Sequence, residues 1–244
     1  MLRLAPAARW VAFSCTAVFC VQRVCQHVEV AAGVSFGAAL LSCFGLCPSL
    51  LASGFVWQIF TYMFLHGSWI HLLLNMLTLL LFGAGLEAEI GSRNFMRVFL
   101  LGGVVGGVVW AGFDFSVTRL AGHMAEHEPW VKVIVSWLLA QRGAPLGVSS
   151  ICVGASGGVF ALIGAFAAIF PRREVILFVG WPLRLRARTV AVLLGLVTVV
   201  FGIYGLDNVA YLTHLSGGLA GYWCGLRMAR HGFGDDTDAP PMDS

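Results

Sequence analysis

Residues 153–165 read VGASGGVFALIGA, and residues 208–225 read NVAYLTHLSGGLAGYWCG. Each is an apolar stretch with small residues at every fourth position: Gly157, Ala161 and Ala165 in the first, Gly217, Gly221 and Gly225 in the second. That spacing puts small side chains on one helix face, and two such faces let backbones approach closely in lipid. Ser156 stands one residue before the first face and His214 three before the second. Docking the two faces brings a hydroxyl toward an imidazole, which serine needs because it is unreactive until a base takes its proton.

A third stretch, HGSWIHLLLNML at 66–77, carries His71 and Asn75. Four positions apart, they share one helix face. Polar groups inside apolar spans are costly, so each calls for an explanation. A packing serine, a core histidine bonded to a carbonyl and an inter-helix asparagine are the bland ones. Four such groups in three helices favour a site.

Composition sets the surroundings. Of 244 residues 59% are hydrophobic and 11% charged, and the mean hydropathy is +0.86. Ordinary soluble domains hold about 25% charged residues, so a soluble, disordered or collagen-like chain is excluded. The net charge of +3 comes with no dense basic block, which argues against nucleic acid. The spacing that makes a zinc or redox centre, C-x-x-C or H-E-x-x-H, is missing, so no metal and no cofactor is expected. Seven cysteines lie mostly in apolar runs and read as small buried residues rather than a disulfide framework; a Cys43–Cys47 pair is left open.

Length and flanks give an all-α polytopic membrane protein with six transmembrane helices at about 8–26, 67–87, 94–113, 153–170, 187–205 and 210–228. Residues 1–7 form a short inner N-terminus, 8–230 a single membrane domain and 231–244 an acidic disordered tail. The first apolar run is read as a retained span rather than a cleaved signal. The connections 27–66 and 114–152 are apolar but broken, and short interfacial helices are expected there. With the N-terminus inside, 11 Arg or Lys residues fall on inner segments and 4 on outer ones, as positive residues prefer. Both termini are then cytoplasmic. Spans two, four and six run from outside to inside, and His71, Asn75, Ser156 and His214 all lie near their outer ends at one depth. The Ser156 amide, the start of its helix, His71 and Asn75 supply donors for an oxyanion, and Gly154 and Gly157 leave room for a substrate backbone. Asp207 sits poorly for a third triad member, so the reading is a Ser–His dyad.

The same residues resemble the motifs of rhomboid intramembrane serine proteases. GASG around Ser156 is similar to that family's G-x-S-G, HLLLN (71–75) to its H-x-x-x-N, and HLSGGLAG (214–221) to its H-x-x-G-x-x-x-G. VWQIFTYMFLHG (56–67) looks like the stretch before the second helix in bacterial members, and the likeness covers most of 55–228. The resemblance implies six helices around a water-filled cavity opening outward. It implies Ser156 as nucleophile and His214 as general base and acid, with His71, Asn75 and the Ser156 amide binding the oxyanion beside Gly154. Phe160 stands where many relatives have a tyrosine that packs on the catalytic histidine, and Glu87 where relatives keep a structural glutamate. The Trp-Arg pair many relatives carry in the first outer loop is missing. Phe160, Gly157, Gly217, Gly221 and Glu87 are thus structural supports. The expected substrates are single-span membrane proteins with a helix-destabilising segment near the outer end of the span, and a small side chain at the cleaved position. A bacterial plasma membrane fits best, with the site facing outward. Two competing classes are a transporter, against which there is no inverted repeat and no mid-membrane acid, and a non-catalytic binding protein on the same fold.

Overall fold

The computed structural model of the chain describes residues 6–26, 28–31, 34–127, 150–178, 181–203 and 210–233. Asp207, the acidic tail from 234 and the apolar residues Trp130, Val133, Ile134, Trp137 and Leu138 of the second outer connection lie outside the described residues.

The protein is mostly helical. Helix α1 (Pro6–Cys25) begins on a proline, whose missing N–H costs nothing in a first turn. Ala8, Val11, Cys15, Phe19 and Gln22 of α1 are buried at helical spacing. The carboxylate of Glu87 accepts from the Ala7 and Ala8 amides at 2.8 Å each. These are first-turn N–H groups with no intrahelical acceptor, and the negative charge suits the positive end of the helix dipole. The bonds fix the start of α1 beside the far end of the second long helix.

The first connection is more structured than its broken hydropathy implies. A short antiparallel hairpin, β1 (Glu29–Ala31) with β2 (Val34–Ser35), leads into α2 (Phe36–Phe44), α3 (Pro48–Ala52), α4 (Gln58–Thr61) and a 3-10 turn at Tyr62–Phe64. Gln58 is fully buried at its centre. It accepts from the Cys47 amide at 3.0 Å and donates to the Ser42 carbonyl at 2.8 Å, so one side chain ties α2 and the start of α3 to α4. None of the seven cysteines is in a disulfide.

Helix α5 (Trp69–Thr78) is N-capped by Ser68, whose hydroxyl accepts from the His71 amide at 3.1 Å. A π-turn at Leu79–Gly83 passes it into α6 (Ala84–His127). Gly91 breaks α6 with φ 77° and ψ 157°, a conformation that glycine adopts without a steric penalty. The chain reverses there, and a third helix continues to His127, well beyond the expected end near residue 113. Helices α7 (Ser156–Ile169), α8 (Ala187–Ile203) and α9 (Ala210–Arg230) follow. Between α7 and α8 stands an antiparallel hairpin, β3 (Glu174–Phe178) with β4 (Pro182–Arg186), that the span pattern does not foretell.

Large apolar side chains crowd the outer helix faces as well as the core. Ile70, Leu73, Leu74 and Leu77 of α5, Val192, Leu193 and Leu196 of α8, and Leu219 and Trp223 of α9 all face outward. Such apolar faces need a non-aqueous surrounding or a partner. Among the described residues one helical stretch, Trp69–Leu120, is long and apolar enough to cross a membrane, while Ser156–Ile169 and Ala187–Gly202 are apolar and shorter.

Candidate active site

The three glycine-bearing helices build one wall of the site. A β-carbon placed on Gly217 would overlap the Gly157 carbonyl, and one on Gly221 the Ala161 carbonyl. One on Gly225 would come within 2.7 Å of the Ala165 carbonyl. The two small-residue faces therefore dock position for position, backbone on backbone. The third helix joins them through GGVVGG (102–107), a doubled stripe that the sequence reading passed over. Gly102 meets Ala161, and Gly106 lies against Thr213. Gly103 and Gly107, on the adjacent face, receive Met63 and Tyr62. The Tyr62 hydroxyl donates to the Gly103 carbonyl at 2.6 Å.

The strand leading to Ser156 is pinned from the other side. Leu46 and Cys152 exchange two backbone hydrogen bonds of 2.9 Å. The Gly154 amide donates to the Tyr62 carbonyl at 2.9 Å. Gly154 itself has φ 129°, and the space for a β-carbon is filled by the His71 ring: Cε1 and Nε2 lie 2.8 Å from that point, and Ser156 Oγ 3.8 Å from it. Glycine is required twice over, for its backbone angle and for the ring that crosses it. Ala155 is the N-cap and Ser156 the first residue of α7, so the hydroxyl stands at a helix start where backbone N–H groups lack intrahelical acceptors.

His214 lies on the docked face of α9. Its ring stacks on Phe160 of α7, centroids 4.3 Å apart and planes 2° apart. Its Nε2 is buried with no hydrogen-bond partner among the described residues, so the bond to Ser156 Oγ is not made in this conformation. Catalytic hydrogen bonds in unliganded sites are often open and tighten with substrate.

Asn75 is buried one turn beyond His71 and donates back to the His71 carbonyl at 2.9 Å. An amide has two N–H groups, so one remains for another acceptor. His66 packs edge-on to His71 with centroids 5.2 Å apart. Its backbone is held on both sides by Gln22 of α1, which accepts from the His66 amide at 3.2 Å and donates to its carbonyl at 3.4 Å. The sequence signal for Gln22 was a polar residue in the buried register of α1. Thr213 was missed as well; its methyl fills the gap between Gly106 and Gly157. Glu87 caps α1 and also accepts from the Ser92 hydroxyl at 2.5 Å, which places it in the scaffold and away from Ser156. No cluster of three or more His, Cys, Asp or Glu suited to a metal occurs among the described residues.

The arrangement sets a hydroxyl at a helix start, an imidazole over the preceding glycine and a second imidazole on the adjoining helix. Chemically it can activate a hydroxyl and stabilise an oxyanion, the two requirements of acyl transfer.

Comparison with known proteins agrees in kind. A rhomboid domain family model matches residues 53–231. The chain is similar to RHOMBOID-like protein 5 of Arabidopsis thaliana, 27% identical over 79% of this chain and 51% of that protein. It is similar to RHOMBOID-like protein 4 of the same plant, 28% identical over 70% of this chain and 33% of that protein. Rhomboid protein 1, mitochondrial, of Saccharomyces cerevisiae is 29% identical over 48% of this chain and 26% of its own length. The chain thus spans a quarter to a half of the length of these curated relatives. With the family match covering most of its length, the chain belongs to the rhomboid family of integral membrane proteins.

Proposed function

We propose that the protein is an intramembrane serine endopeptidase of six transmembrane helices that cleaves membrane proteins by a Ser156–His214 dyad. One observation carries the reading: the His71 ring crosses Gly154 beside Ser156 Oγ, at the start of α7. Rhomboids as a family are intramembrane serine proteases, which adds to it.

In this mechanism His214 Nε2 takes the Ser156 proton as Oγ attacks the scissile carbonyl. The oxyanion is met by the Ser156 amide, the His71 ring and the second N–H of Asn75. His214 then protonates the leaving amine, and water repeats the sequence to release the acyl group. Phe160 keeps the His214 ring in plane while Nε2 takes up the proton and passes it on. Substrates are single-span proteins whose helix is weak near the outer end, because a helical peptide bond must be unwound before Ser156 can reach it. The chain sits in a bacterial plasma membrane, with both termini cytoplasmic and the site opening outward.

The test uses purified protein in liposomes with a fluorogenic single-span substrate. Ser156→Ala and His214→Ala are each expected to lower cleavage about a thousandfold or more, and only wild type is expected to react with a fluorophosphonate. Equal cleavage in all three would overturn the reading, and so would wild type that neither cleaves nor labels.

A further inference from the structure

The hairpin between α7 and α8 is used by neither the site nor the docked helices. Its ladder pairs Glu174 with Arg186, Val175 with Leu185, Ile176 with Arg184 and Leu177 with Leu183. Alternate residues of a strand face opposite ways. One face therefore carries Val175, Leu177, Leu183 and Leu185. Val175 is buried there, and Leu177 and Leu185 pack on the core. The other face carries Glu174, Ile176, Arg184 and Arg186, all exposed, with Glu174 directly opposite Arg186 and Ile176 at 53%. Arg172 and Arg188 flank the base, also exposed. Trp181, at the start of the return strand, is 68% exposed.

The hairpin belongs to one end of the molecule. The Arg173 carbonyl accepts from the Ala187 amide at 2.9 Å. Arg173 also forms an ion pair with Glu89 at 2.8 Å, two residues from the Glu87 that caps α1. No ion pair among the described residues involves Arg172, Arg184, Arg186 or Arg188. Glu174 opposes that excess with a single negative charge. Orientation alone asks only for positive charge on a loop at the correct end. It does not ask that arginines alternate with an outward isoleucine on a folded strand pair, nor that a tryptophan stand exposed beside them.

We infer that the outward face of this hairpin binds the anionic phospholipid headgroups of the membrane surface next to it. Planar guanidinium groups pair with phosphate through two parallel hydrogen bonds, and Trp181 is suited to the boundary between headgroup and acyl chain. The occupant is lipid rather than an acidic protein because the face mixes arginine with exposed Ile176 and Trp181, and sits on a chain whose outer helix faces are already apolar.

Hydrogen exchange of the full-length protein tests this in vesicles of phosphatidylcholine alone and in vesicles with an equal share of phosphatidylglycerol. Amides of 174–186 are expected to exchange more slowly in the anionic vesicles, by about fivefold for each arginine engaged. High salt is expected to erase the difference. R184Q/R186Q is expected to lose it and R184K/R186K to keep much of it, with exchange in 157–169 unchanged in both. Equal exchange in the two vesicles, or a headgroup preference that survives in R184Q/R186Q, overturns the inference and leaves the face to a protein partner. The unmodified chain in two salts and two lipids gives a decisive result even if a variant loses the hairpin.

Discussion

Ser156 and His214 stand on helices that meet through bare backbone, whereas His71 and Asn75 stand on a helix held by side chains. Along the α7–α9 seam, glycine lies on carbonyl at three successive turns. Such a contact has one register, because any shift drives a β-carbon into a main-chain oxygen. Helix α5 is held otherwise, by Trp69 edge-on to Phe19 of α1 at 4.8 Å and by His66 under the Gln22 clamp. It also passes through a π-turn at Leu79–Gly83, a form often found where helices serve a site. Ser156 and His214, the proposed nucleophile and base, are therefore fixed by the fold itself, while His71 and Asn75, the proposed side-chain donors to the oxyanion, rest on adjustable packing. Damage to the first half should cost the fold, and damage to the second should cost the chemistry.

Five substitutions at four positions break or sharpen that contrast, beyond the loss of cleavage expected for Ser156→Ala and His214→Ala. Gly221→Val puts a branched side chain into the Ala161 backbone and is expected to destabilise by about 3 kcal/mol, the upper end of overpacking costs. A denaturation midpoint close to wild type would show that the seam has slack. His71→Ala removes an oxyanion donor and is expected to lower kcat by about 10²–10³ with an unchanged midpoint; a fall in stability to match Gly221→Val would erase the distinction between the halves. Phe160→Ala removes the plate under His214 and is expected to reduce kcat/KM about tenfold, from an aromatic contact of roughly 1 kcal/mol. Phe160→Tyr keeps the plate and should retain activity in the same assay. Glu87→Gln loses the charge at the start of α1 and turns one of the two accepting oxygens into a donor that faces an amide N–H, for an expected loss of about 2 kcal/mol in stability. Its turnover should not move, and a change in kcat would tie α1 to the site more directly than its geometry does.

The two docked faces could be read from sequence because small residues at every fourth position leave little choice of which sides meet. The second glycine stripe, at Gly102, Gly103, Gly106 and Gly107, is equally visible, but no polar residue between Val98 and Phe113 draws attention to it. His71 beside Ser156 followed from spacing and depth. That its ring occupies the place of a β-carbon on Gly154 did not, because it depends on a loop torsion. Gln58 and Gln22 were hidden for a common reason. A glutamine in an apolar run has no spacing partner, and its hydrogen bonds reach residues 11 to 44 positions away. The β3–β4 hairpin did leave a trace, in the alternation of Leu183 and Leu185 with Arg184 and Arg186. The span pattern leaves that trace unused, because the basic residues there already serve to orient the chain.

The two-bond pairing of Leu46 with Cys152 joins positions about a hundred residues apart, so it closes late and against a loop entropy that grows with the logarithm of that length. The Gln58 bonds to Cys47 and Ser42 are local, so during synthesis the segment around Leu46 can be ordered before Cys152 emerges. The turn that aims Ser156 takes shape only when the later half of the chain arrives and completes the pairing. Under the proposed mechanism, a newly made chain is expected to be inert toward its neighbours until α9 is in place. A fluorophosphonate added to chains stalled at increasing length should begin to label only after α9, which brings His214, has joined the seam.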